Sequence, residues 1–168
     1  MPMTADQIIA ALGLEPLEPE GGLYRETYRS GEGVAAGALP ARYGGGRCFG
    51  TAIYYLLTPR TVSRLHRVAS DEVFHFYLGD PVTMLWLAPD GGGRVVTLGP
   101  DLAAGQHVQV VVPRGVWQGA FLAEPGRWAL MGCTVAPGFE YADFAPGDRD
   151  ALIGRYGDWA DLIRRLTP

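Results

Sequence analysis

A chain of 168 residues, nearly half hydrophobic (48%) and about a fifth charged (19%), is long enough for one domain with a substantial core, and its composition excludes disorder. Its net charge of −4, with no lysine and no arginine cluster, excludes the basic footprint that a phosphate backbone attracts, so no nucleic-acid partner is expected. No apolar run approaches the roughly 20 residues needed to span a bilayer.

The N-terminal "MPMTADQIIAALGL" lacks the basic start and apolar block of a signal peptide, so a cytoplasmic protein without membrane attachment is expected. Cys48 and Cys133 lie in apolar, strand-like stretches and are expected reduced and buried. Residues 1–14 read as an N-terminal helical segment. Thr4-Ala5-Asp6-Gln7 fits a capping box, Ile8, Ile9 and Leu12 form an apolar stripe, and Gly13 is placed to stop the helix. Residues 15–22, rich in Pro, Glu and Gly, read as a loop.

The period then changes. "LYRETYRS" (23–30) is strand-like; on regular alternation Arg25 and Thr27 share one face, and Tyr24, Glu26 and Tyr28 the other. Residues 31–47 read as a long surface loop, and "CFGTAIYYLLT" (48–58) as a strand buried on both faces. Further strands are predicted at 61–67, 72–78, 82–88, 94–98, 107–112, 116–122 and 127–136, separated by turns such as Gly79-Asp80-Pro81 and Pro113-Arg114-Gly115. That many short strands at regular spacing predict an all-β sandwich or barrel over 23–136, in a single domain spanning 1–168. Helices return over 147–168, with Asp148 and Asp158 as their caps and Gly157 between them.

Chemistry concentrates in "LHRVASDEVFHFYLG" (65–79), which holds His66, Glu72 and His75 in a hairpin otherwise suited to a core. Buried ionisable groups are costly unless paired or bound. His66 and Glu72 can converge across the turn, either as a hydrogen-bonded pair that fixes the hairpin or as the lining of a pocket. On regular alternation Glu72 and His75 cannot both point inward; only a bulge would turn His75 toward a pocket. His107 opens a strand and reads as a surface residue. "VVVPRGVWQGAFL" (110–122) sets one polar side chain, Gln118, into an apolar hairpin, where its amide must find partners in the backbone or in a ligand. Tyr54, Phe74, Phe76, Trp86 and Trp117 read as core, and some could form a wall on which a ligand stacks. Arg25, if aimed into a cavity, would suit a carboxylate or phosphate. Phosphate-cradling glycine loops and a nucleophile elbow are absent from the sequence.

These segments resemble the cupins, whose two short motifs lie on a jelly-roll barrel (a double-stranded β-helix). His66, Glu72 and Gly79 match the first motif, with six residues between Glu72 and Gly79; Pro113-x-Gly115 matches the second, with Gln118 where a histidine would stand. "GGLYRETYRS", "TAIYYLLTP", "HRVASDEVFHFYLGDP", "VPRGVWQGA" and "GCTVAPGFEYADF" are similar to the Cupin 5 subfamily and span most of the chain. The resemblance implies a cupin fold and a homodimer, and brings no settled reaction. It implies a site for a small polar metabolite with His66 as base, Glu72 as its orienting partner, and Arg25, Tyr54, Phe74, His75 and Gln118 on the substrate. The reaction it suggests is a metal-independent epimerisation or isomerisation of a sugar-like compound. Val68 and Gln118 replace two of the histidines that hold a metal in other cupins, so no cofactor is expected. The alternatives are a divalent metal on His66, Glu72 and Gln118 serving an oxygenase or isomerase, and a ligand sensor without catalysis.

Overall fold

The computed structural model describes residues 3–168; Met1 and Pro2 of the predicted 1–14 segment lie outside the described residues. Helix α1 (Ala5–Leu12) is capped as its sequence dictates. Thr4 Oγ1 accepts from Gln7 N–H, the Gln7 side chain returns to the Thr4 N–H, and Gly13 ends the helix in the left-handed region.

Thirteen strands follow in the described residues: β1 (Glu15–Pro16), β2 (Leu23–Arg29), β3 (Gly33–Val34), β4 (Arg47–Cys48), β5 (Thr51–Leu57), β6 (Val62–Val68), β7 (Glu72–Gly79), β8 (Val82–Leu87), β9 (Gly93–Leu98), β10 (Gln109–Val112), β11 (Trp117–Leu122), β12 (Ala129–Val135) and β13 (Phe144–Pro146). They form a six-stranded sheet in the order β1-β2-β5-β12-β7-β10, a five-stranded sheet in the order β13-β6-β11-β8-β9, and the small pair β3-β4. Every pairing between these strands is antiparallel. This is the all-β architecture that the strand spacing predicts, in the jelly-roll form that the motif resemblance implies. The β3-β4 pair sits where the sequence reads as unpatterned loop.

The two large sheets face one another. Tyr55, Leu57, Phe74, Met84, Trp86, Val112, Leu122 and Met131 meet between them in one core, as alternation along each strand requires. Helix α1 covers part of the six-stranded sheet's outer face, with Ile8 packed among Leu56, Trp128 and Leu130. At the C-terminus, α2 (Arg149–Arg155) and α3 (Ala160–Leu166) lay Leu152, Tyr156, Ile163 and Leu166 on the outer face of the other sheet, against Leu65, Leu85 and Phe121. Asp148 caps α2 through Ala151 N–H, as predicted. Asp158 does not cap α3: it falls in a 3₁₀ turn, Gly157–Trp159, that runs directly into that helix. Among the described residues, no helix is long and apolar enough to cross a membrane.

Candidate functional site

Two breaks in alternation shape the site. In β6 the register against β11 runs from His66↔Gln118 to Ser63↔Ala120, so β6 carries one extra residue. Ser63 and His66, three apart, are therefore both buried, while Arg64 is exposed. In β2 the register against β5 steps from Glu26↔Ile53 to Tyr28↔Ala52, which leaves Thr27 unpaired. Tyr24, Glu26 and Arg29 then line one cavity, although strict alternation would place Arg29 with Arg25. A third bulge, in β7 opposite Leu130 and Met131, lies beyond His75 and does not turn it inward.

The cavity, about 300 Å³, opens between the inner face of the six-stranded sheet, the loop that follows β1 and a roof formed by Phe139, Glu140, Tyr141 and Phe144. Two arginines hold the roof. Arg47 grips Asp143 through two hydrogen bonds of 2.6 and 2.8 Å in a fully buried pair. Arg29 reaches Glu140 at 2.9 Å and the Phe139 carbonyl at 3.2 Å, and binds Glu26 through two bonds of 3.0 Å.

At the closed end, Glu72, Gln118 and His66 come together, with 6%, 1% and 2% exposure. Gln118 Nε2 donates to Glu72 Oε2, and the Cys133 thiol donates to Glu72 Oε1 at 3.5 Å. His66 Nδ1 donates to the Arg64 carbonyl at 2.7 Å, and that fixes Nε2 toward the acids. From Nε2, Glu72 Oε2 is 3.8 Å away and Glu20 Oε2 is 4.0 Å away. Phe144 stacks on the imidazole, with centroids 5.0 Å apart.

Glu20 carries no motif and reads as loop in the sequence; no signal there marks it. The loop places it by backbone geometry. Gly21 and Gly22 both take positive φ, and a Cβ on Gly22 would lie 2.6 Å from the Tyr55 hydroxyl. The Tyr55 hydroxyl donates to the Gly21 carbonyl at 2.8 Å, and Ser63 Oγ donates to Glu20 Oε1 at 2.9 Å.

The electrostatics follow from this burial. Desolvation alone would pull the His66 pKa down. The nearby charges of Glu20 and Glu72, with the Arg64 carbonyl, outweigh it and raise His66 to about 9. Burial pushes the Glu20 carboxyl up, against the lowering effect of His66, and the neighbouring Glu72 raises it further. Burial also holds the Cys133 thiol well above its ordinary value, so it stays protonated.

The other predicted contacts lie elsewhere. Arg25 is outside the cavity, exposed, donating to the Leu12 carbonyl at the end of α1. Tyr54 packs on the outer face beside α1 and meets Tyr77 edge-on. His75 is on that outer face too, bonded to Thr134 Oγ1 and Gln109 Nε2 and stacked on Tyr77. Phe74 is buried in the core between the sheets. The cation that lines the cavity is Arg29, and the aromatic walls are Tyr24, Phe139, Tyr141 and Phe144.

The residues present do not fit a divalent metal. One oxygen of Glu72 is taken by the Gln118 N–H, buried Val68 offers no donor, and His66 is the one imidazole at the closed end. Among the described residues, no group of three or more His, Cys, Asp or Glu is arranged to hold a metal ion.

Residues 6–146 match the family model Cupin 5, described as Cupin superfamily (DUF985). The chain belongs to the Cupin 5 family. A hypothetical protein from Leishmania major, a solved structure, superposes with a TM-score of 0.88 at 32% identity, covering 98% of this chain and 99% of that one. Protein SO0799 from Shewanella oneidensis gives 0.86 at 35% identity, covering 99% of each chain. The yeast protein "Uncharacterized protein YML079W" from Saccharomyces cerevisiae is 31% identical over 134 residues; the match covers 74% of this chain and 66% of the yeast protein's length. Oxalate decarboxylase from Bacillus subtilis superposes at a TM-score of 0.53 with 14% identity, over 92% of this chain and 37% of that one. This last likeness shows the cupin fold alone.

Proposed function

We propose that the cavity binds a small polar metabolite and moves a proton on it without a metal, as in the isomerisation of a sugar-like hydroxy-carbonyl compound. The observation that carries this reading is the convergence of Glu20, His66 and Glu72 at the closed end of a cavity that no hydrocarbon side chain plugs. The roles differ from those the motif resemblance implies. His66 is already protonated at neutral pH and lies behind the cavity, so it serves as the fixed positive charge of the site and not as its base. Glu20 lines the cavity, and burial raises its proton affinity above that of an ordinary carboxylate, which makes it a stronger base for proton transfer. Glu72 holds the imidazolium, and Gln118 holds Glu72.

In this reading Glu20 takes the proton from the carbon next to the substrate carbonyl, and the electron pair moves onto the carbonyl oxygen as an enediolate. The carboxyl proton exchanges with solvent in part before the same carboxyl delivers a proton to the neighbouring carbon, while the hydroxyl proton passes from one substrate oxygen to the other. The experiment is solvent-deuterium incorporation in D₂O, followed by NMR across neutral, aminated and acidic hydroxy-carbonyl compounds. At least one compound is expected to take up carbon-bound deuterium, with the rate falling by about 100-fold or more in Glu20→Gln. Binding without exchange for every compound would contradict the reaction and leave a ligand sensor. An unimpaired Glu20→Gln would remove Glu20 from the role.

A further inference from the structure

We infer that the ligand of this cavity is an organic cation, a small hydroxylated amine seated against the aromatic walls with its ammonium directed to the acids. The inference rests on the reading of the cavity as a ligand site and adds the charge class of the ligand.

Four carboxyl groups line the cavity: Glu20, Glu26, Glu72 and Glu140. Against them stands one lining cation, Arg29, and all five of its N–H groups are engaged: Glu26 takes two, Glu140 and the Phe139 carbonyl one each, and the fifth meets Cys48 Sγ at 3.8 Å. Arg29 therefore has nothing left for a ligand carboxylate or phosphate. The second positive charge, on His66, is already shared between Glu20 and Glu72 behind the cavity wall. An anion placed here would meet an acidic excess with no free donor of opposite charge.

The walls make an independent case. Tyr24, Phe139, Tyr141 and Phe144 surround the space, and Phe139 and Tyr141 stand nearly perpendicular, at 77° with centroids 5.3 Å apart. Aromatic faces set at right angles beside carboxylates suit an ammonium group, which is drawn to the negative face of each ring. A neutral polyol would satisfy the acids through its hydroxyls but would gain nothing from the charge.

The test is calorimetric titration with matched sets that differ in one substituent: D-glucosamine, D-glucose and D-glucuronate; D-galactosamine, D-galactose and D-galacturonate; ethanolamine, ethylene glycol and glycolate. In at least one set the amine is expected to bind about tenfold or more tightly than its neutral and acidic counterparts, and added salt weakens it. Phe139→Leu, which keeps an apolar wall but removes the ring face, should weaken the amine about threefold or more and leave the neutral counterpart unchanged. Tighter binding of a neutral or acidic member, or no binding by any amine, overturns the inference. A neutral sugar that binds and exchanges deuterium would overturn the charge class alone; an amine that binds without exchange would overturn proton transfer alone.

Discussion

Ser63 Oγ donates to Glu20 Oε1 at 2.9 Å, and the neighbouring Arg64 N–H donates to the Glu20 carbonyl at 2.8 Å. A bulged strand and an irregular loop are thus fastened at two points, and the loop's one cavity-lining acid is set beside His66. The Ser63 hydrogen bond favours the charged form of Glu20. Ser63→Ala is expected to raise the Glu20 pKa further and to cost about 1 kcal/mol of stability. Carboxyl-carbon NMR titration and thermal melting check the two parts separately. An unchanged Glu20 titration would show that the hydroxyl does not hold the acid.

Gly22 is the tightest point of that loop, with positive φ and the Tyr55 ring against its missing side chain. Gly22→Ala should destabilise the protein by about 2 kcal/mol or more, because the left-handed backbone and the collision act together. A second signature is expected in the site: the His66 pKa falls as Glu20 is displaced. A melting temperature equal to that of the native chain would contradict the proposed packing.

The legible parts of this molecule are the periodic ones. The α1 capping box, the Asp148 cap and the strand positions follow from residue type and spacing, because each depends on local chemistry or on a two-residue period; the His66–Glu72–Gln118 grouping joins distant strands and was legible as a group of three only through the motif resemblance. Arg29 was hidden by the bulge at Thr27, which reverses the parity from which Arg25 is picked out. Ser63 and His66 share the interior for the same reason in β6. Glu20 was hidden more deeply: it lies in a loop without periodicity, and only tertiary contacts from β5 and β6 give it a place. Tyr54 and His75 follow their alternation faithfully, to the outer face.

Stability should depend on pH with a definite sign. His66 is raised from 6.5 to about 9 in the native state, so the stability it contributes is fully present below pH 6.5 and is lost as pH rises through 9. That loss is on the order of 3 kcal/mol. Glu20 is also raised, so its contribution is complete below its ordinary value of 4.5 and fades above it, in the same direction. Denaturant melts should therefore show stability declining between pH 6.5 and 9, and the decline should flatten in His66→Gln. Stability that rises over this window would reverse the sign and contradict the electrostatic account.

The most direct measurement is a ¹⁵N NMR titration of the His66 imidazole in the native protein and in Glu20→Gln. An imidazolium shared by two acids predicts a protonated ring at neutral pH, a midpoint near 9, and a lower midpoint once Glu20 is neutralised. A ring that is neutral at pH 7, or a midpoint indifferent to Glu20, would mean that these groups do not share the floor of the cavity.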